Sequence, residues 1–378
     1  MEPSVRGAGE GPRPAAPAEG RAFARLCRAL EQGRAGDAAR LLAGKALADP
    51  ACSRAQVDHA LRLAAEFGHA PAVAALLAGA GGAPPPDPAA GAGLPLRLAA
   101  RNGHAGALAA LLADPRADPA ACGSEALREA AARGHAGAVA LLLGDPRTDP
   151  AAEDNEALVE AAANGRAEAL ALLLADPRTD PAAGGHEAIY RAAEGGRRAA
   201  VALLLGDPRV DPAAAGNAPL LAAARGGHSG VVALLLADPR VDPASAGAEA
   251  LCSAAAEGHS AAARALLADP RVAGALDAET GGQVLRWAAR SGLAETVARL
   301  LADPRIDPAA DDNTAFCWAA GERRVEVAAL LLGDLRVNPE VLGREAWLAD
   351  FLAEPPLAEA AARRRGAAAA EAAGAGRG

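Results

Sequence analysis

The chain has 378 residues, more than one compact core serves, and 51% of them are hydrophobic while only 2% are aromatic. Alanine must therefore supply a thin core, and the architecture must grow by extension rather than by volume. The 47 acidic against 38 basic residues give a net charge of −9, the opposite of the basic footprint of a nucleic-acid binder. No apolar run is long enough to span a membrane. Residues 1–20 lack the apolar segment of a secretory signal. The five cysteines, Cys27, Cys52, Cys122, Cys252 and Cys317, are odd in number, scattered and free of any Cys-x-x-Cys spacing. That pattern predicts thiols in a reducing compartment, hence an intracellular protein, cytoplasmic or nuclear.

In chain order, residues 1–20 are rich in Gly, Pro, Ala and Glu and read as a disordered tail. From Ala22 the stretch FARLCRALEQGRAGDAARLLAG predicts two short helices split by Gly33. The unit then recurs. In EALREAAARGHAGAVALLLGDPR, Leu127, Ala130 and Ala131 share one face of a first helix, and Gly134 is placed to end it in a left-handed conformation. Val139, Leu142 and Leu143 line the second helix. Helices this short are unstable alone and must be held by stacking.

Asp-Pro-Arg returns at Asp114, Asp145, Asp176, Asp207, Asp238, Asp269 and Asp303, in steps of 31 residues and finally 34. An eighth copy at Asp334 has Leu335 in place of the proline. A fixed period of this length marks a solenoid. Proline forces the chain out of the helix at each Asp. The Asp-Pro that follows most copies predicts a helix restart, with Asp as N-cap and Pro at the first helical position. The arginine between two aspartates predicts an exposed ladder of balanced charge. On that picture Arg209→Gln or Arg240→Gln costs no more than about 1 kcal/mol. After Asp269 the second Asp-Pro is missing, and Val272 to Gly282 reads as an irregular loop leading into the next helix. REAWLADFLA predicts one capping helix, and residues 353–378 a flexible tail carrying a basic cluster at Arg363 to Arg365.

Leu127, Ala130, Ala131, Gly134, His135, Val139, Leu142 and Leu143, and again Pro219, Leu220, Ala223, Gly227, His228, Val231 and Val232, stand at the spacings of the ankyrin repeat, which this pattern resembles. Ten copies follow from the slot between the helices: Gly33, Gly68, Gly103, Gly134, Gly165, Gly196, Gly227, Gly258, Gly292 and Arg323. The resemblance implies an all-α solenoid of about ten stacked helix-turn-helix repeats over residues 21–352. Most repeats here have 31 residues, and two prolines replace the family's β-hairpin finger, so short turns are expected instead of strands. The family's first-helix Thr is mostly absent, leaving Asn155, Asn217, Asn313 or Ser124 to cap that helix.

The resemblance implies a non-enzymatic protein-interaction module or scaffold that binds a partner through a concave face lined by first helices. The alternatives are a structural spacer and a non-catalytic subunit or inhibitor of an enzyme. No phosphate loop, serine elbow or His-Glu-x-x-His occurs. The aspartates recur in every repeat, as architecture does and a single active site does not. His69, His104, His135, His228 and His259 all follow a slot glycine, so they form a row and not a metal site; the resemblance implies that each bonds turn backbone. Cys27, Cys252 and Cys317 occupy one slot and read as buried small side chains. No cofactor, metal, nucleic acid or membrane is expected, and the chain reads as a monomer.

The informative positions are those that break the pattern. The slot expected to face the groove runs Leu63, Leu98, Glu129, Glu160, Arg191, Ala222, Ser253, Trp287 and Trp318. The candidate partner site is Trp287, Trp318, Arg286, Arg290, Glu322 and Tyr190. The competing reading packs both tryptophans into an end cap with Phe316, Trp347 and Phe351.

Overall fold

The computed structural model describes residues 18–44, 53–80, 84–337 and 350–375. Among these there are helices and turns and no strand. The chain divides into two compact units, Met1–Leu158 with Ala171–Thr179, and Val159–Leu170 with Asp180–Gly378. The first unit holds α1 (Ala18–Glu31), α2 (Ala35–Ala43), α3 (Arg54–Glu66), α4 (Ala70–Leu77), α5 (Ala90–Arg101), α6 (Ala105–Leu112), α7 (Ala121–Arg133) and α8 (Ala136–Leu143). Helices α9 (Ala152–Ala163) and α10 (Ala167–Ala175) contain the division points. The second unit holds α11 (Ala183–Glu194), α12 (Arg198–Leu205), α13 (Ala214–Arg225), α14 (Ser229–Ala237), α15 (Pro243–Ala256), α16 (Ser260–Ala268), α17 (Pro270–Ala275), α18 (Ala278–Ser291), α19 (Ala294–Leu301), α20 (Ala310–Gly321), α21 (Val325–Gly333) and α22 (Pro355–Ala375).

Within each unit a first helix packs on the next first helix and a second helix on the next second helix, as α5 does on α7 and α14 on α16. The alanine pairs make this close approach possible. Ala130 with Ala131, Ala223 with Ala224 and Ala288 with Ala289 are fully buried on the first helices. Leu142, Leu235 and Leu300 close the core from the second helices. The residue after Asp-Pro-Arg belongs to the core as well: Thr148, Val210, Val241, Ile306 and Val337 are buried beneath their turns.

The slot turns follow the expected backbone. Gly134 has φ 79°, Gly227 φ 71° and Gly292 φ 81°, and Arg323 also takes a left-handed φ of 53°. The imidazoles carry the contact from repeat to repeat. His104 Nε2 donates to the Glu66 carbonyl at 2.9 Å, His135 to Arg101 at 3.0 Å and His228 to Glu194 at 2.9 Å. A carbonyl can only accept, so Nε2 carries the proton.

The second Asp-Pro does not restart the helix in most repeats. Asp118 Oδ1 accepts from the Ala120 amide at 3.0 Å, which makes a local turn. Three left-handed residues follow: Cys122, Gly123 and Ser124 have φ of 52°, 65° and 56°. Ala215, Gly216 and Asn217 repeat the device, as do Asp311, Asp312 and Asn313. Each non-glycine residue there costs about 1–2 kcal/mol, and Asn, Ser or Gly at the third position lowers that cost. Where the third position is Ala248, the device is absent. There Asp242 caps α15 through the Ala244 amide with Pro243 at the first turn, as the restart reading requires. Ser124 serves another repeat: its Oγ accepts from the Asp149 amide at 3.2 Å. Asn217 Nδ2 donates to the Asp242 carbonyl at 3.2 Å. Both side chains hold the following turn, where the expectation was a cap on their own helix.

The arginine ladder is a set of staples rather than exposed balanced charge. Arg147 grips Asp145 through Nε at 3.0 Å and Nη2 at 2.6 Å. Its Nη1 donates to the Ala117 carbonyl and its Nη2 to the Leu112 carbonyl, both at 2.8 Å, in the preceding repeat. Leu112 ends α6, so the staple satisfies an otherwise orphaned helix carbonyl at the negative end of the helix dipole. Arg240 does the same to Val210 and Leu205, and Arg336 to Ile306 and Leu301.

The arginine hydrogen bond holds the carboxyls of Asp145, Asp176 and Asp238 below the usual range, against a smaller opposing effect of burial. A depressed folded-state pKa stabilises above the unfolded value of about 3.9 and is lost as pH falls through the lower, folded value. Stability in urea titrations is therefore expected to drop steeply below about pH 4. Asp176→Asn should flatten that drop; an unchanged acid slope would remove the staple from the account of acid unfolding.

The C-terminal region departs from the compositional reading. Residues 353–378, read as a flexible tail, contain α22, which packs on α21 with Leu357 fully buried. Phe351 is buried beside it. Arg364 donates Nη1 to the Asp334 carbonyl at 3.0 Å, so α22 supplies a staple to the last repeat. The basic cluster signalled this residue, but its distance from Arg336 breaks the 31-residue step and hides its role. The loop expected from Val272 to Gly282 is instead α17 and the start of α18. Asp269 caps α17 through the Arg271 amide, Asp277 caps α18 through the Thr280 amide, and Val272 is fully buried. Of the expected tail at residues 1–20, all but Ala18, Glu19 and Gly20 lies outside the described residues, and those three begin α1. The capping helix expected from Arg344, with Trp347, lies outside them up to Ala349.

Candidate functional site

Trp287 on α18 and Trp318 on α20 occupy one slot of consecutive repeats, and their rings meet at 5.3 Å with a tilt of 55°. Both are half-buried. The Arg290 guanidinium, one turn after Trp287, lies over both rings, 5.6 Å from one centroid and 5.9 Å from the other. Glu322 Oε1 stands 3.5 Å from Arg290 Nε. Arg286 pairs with Asp311 at 2.7 Å. Asp311, which sequence reasoning did not select, sits in the left-handed triplet at the start of α20; its partnership spans 25 residues, and no sequence signal marks it. Five of the six candidates thus fall within these two neighbouring repeats. The sixth does not: α11 packs on α13, α13 on α15 and α15 on α18, so half-buried Tyr190 stands three first helices away from Trp287.

Phe316 points into the core and is fully buried. Phe351 is covered by the Arg323 guanidinium at 5.8 Å from its ring.

A cation over two offset aromatic faces is favourable in water and stronger when shielded. It presents an amphipathic surface: tilted indole rings for apolar contact, a guanidinium edge for carboxylate or carbonyl, and Glu322 and Asp311 for donors. None of these side chains is a nucleophile.

The cysteines are less buried than expected. Cys27, Cys252 and Cys317 are half-buried, Cys122 is exposed, and Cys52 lies outside the described residues. Burial pushes the Cys252 thiol up to about 11, helped by Glu249 and opposed by Arg286. Burial raises Cys317 too. Thiols held this high are protonated at neutral pH and poor nucleophiles. No group of His, Cys, Asp and Glu arranged to hold a metal occurs among the described residues. No helix among them is long and apolar enough to cross a membrane.

Residues 96–183 and 186–275 match the family model of ankyrin repeats (3 copies). These residues are ankyrin repeats, and the same helix pairs and left-handed slots continue beyond them. The chain's fold is the all-α helical-repeat solenoid of that family. Ankyrin repeats generally mediate protein–protein interaction, and the family is typically non-catalytic. No curated protein matches the chain.

Proposed function

We propose that this protein is a non-enzymatic binding module or scaffold, acting as a monomer inside the cell, in cytoplasm or nucleus. It takes a partner protein on the first-helix face centred on Trp287, Trp318 and Arg290. One observation carries the site. Two of a very small set of aromatics stand together, half-buried and bridged by an arginine. Tryptophan and arginine are the residue types that dominate binding energy at protein interfaces. Repetition supports the non-catalytic reading, since the carboxylates of the repeats are engaged in staples and turns.

The test uses single-tryptophan variants and a double variant. Acrylamide should quench Trp287 and Trp318 in the free protein. Trp287→Ala/Trp318→Ala should lower Tm by no more than about 4 °C and abolish capture of a discrete stoichiometric partner. If both tryptophans are shielded, or the double variant unfolds the last repeats, they are packing residues and the site lies elsewhere.

A further inference from the structure

We propose that the first repeat carries a second binding site, a cleft for an acidic segment of a partner protein. An open cleft of about 420 Å³ lies between α1 and α2, lined by Arg25, Arg28, Gln32, Arg34, Asp37 and Arg40 among others. Four guanidiniums face one carboxylate in a chain whose net charge is −9. Asp37 is shared by Arg34 at 3.8 Å and Arg40 at 3.7 Å, both loose contacts on exposed side chains. Arg25 and Arg28 have no ion pair among the described residues. In a neighbouring part of the same unit the opposite holds: Arg97 and Arg128 both pair with Glu125, at 2.7 Å and 3.4 Å.

Arg34 holds a repeat position at which arginines of other repeats are engaged. Arg34 follows slot residue Gly33, as Arg197 follows Gly196 and Arg324 follows Arg323. In those repeats the arginine donates Nε to a carbonyl of the preceding first helix, Ala163 at 2.9 Å and Arg290 at 3.1 Å. Arg34 instead turns to Gln32 and Asp37. A carboxylate or phosphoryl group on an incoming peptide satisfies the same donors more strongly than a carbonyl, because it is charged and accepts in the guanidinium plane. Nucleic acid fits less well. No aromatic side chain lines the cleft for base stacking, and Asp37 opposes a continuous phosphate backbone.

The probe is a fluorescein-labelled peptide of six glutamates, with its glutamine counterpart as control, titrated with the full chain by anisotropy. The glutamate peptide should bind and weaken with salt, and the glutamine peptide should not bind. Arg25→Gln/Arg28→Gln, at exposed positions that leave the melting curve unchanged, should weaken binding at least tenfold. Arg363→Gln/Arg365→Gln, in the other basic cluster, should leave it unaltered, and so should Trp287→Ala/Trp318→Ala, which separates this site from the tryptophan face. Absence of binding at low salt, equal loss from both arginine pairs, or displacement by a thymidine oligonucleotide at a lower concentration than the acidic peptide overturns the proposal.

Discussion

Arg240→Gln is expected to destabilise the protein by about 2 kcal/mol, twice the ceiling that an exposed charge ladder allows. Arg240 makes a two-pronged pair with Asp238 and donates to the Val210 carbonyl at 2.9 Å and the Leu205 carbonyl at 2.7 Å. A hydrogen bond from a charged donor contributes about 1.5–3 kcal/mol when shielded. The Arg240 side chain is 37% exposed, so the sum is discounted toward the lower end. Glutamine has one amide group and cannot hold the aspartate and reach both carbonyls together. Lysine keeps the charge but not the fork, so Arg240→Lys should recover only part of the loss. Urea unfolding measures both variants. Hydrogen exchange should rise first around Leu205 and Val210, because repeats couple to their nearest neighbours. A loss of no more than about 1 kcal/mol, the ceiling for an exposed pair, would return the arginines to the role of exposed charge.

Gly227→Val should cost about 3 kcal/mol, from two sources of similar size. Gly227 has φ 71°, a region that costs an L-residue about 1–2 kcal/mol and a β-branched one more. A Cβ added there would also lie 2.6 Å from the His259 ring, which rests on the glycine. That ring is not free to withdraw, because its Nε2 donates to the Arg225 carbonyl at 2.9 Å. Overpacking of this kind costs about 1–3 kcal/mol. A double variant separates the sources. With His259→Ala in place the collision is gone, and the added cost of Gly227→Val should fall by at least about 1 kcal/mol. An equal cost in both backgrounds would leave only the backbone. Exchange should loosen α13 to α16 and spare α20 and α21; uniform loosening of the second unit would contradict nearest-neighbour coupling.

The sequence by itself determined the elements that depend on local chemistry. Proline after Asp ended most of the second helices, glycine between the helices predicted the left-handed slot, and the alanine and leucine positions marked the buried stripes. All of these act within one turn of the chain, so spacing reveals them. The fixed step aligned equivalent residues, which is why Trp287, Trp318, Arg290 and Glu322 were legible as neighbours before their contacts were known. Tyr190 was chosen for residue type alone, and the stacking order separates it from them.

Only the tertiary structure decided what each residue reaches in the next repeat. Arg147 looked like surface charge because its aspartate is two residues away, whereas its backbone acceptors are 30 and 35 positions back. Ser124 looked like a helix cap, but its hydroxyl accepts from an amide 25 residues ahead. The tail from residue 353 looked mobile because alanine and arginine carry little apolar signal, yet Leu357 finds a buried place on α21 and Arg364 a carbonyl to hold. In a stack of repeats the chain folds locally but is fastened across the repeat, so the sequence displays the period and the structure supplies the partner.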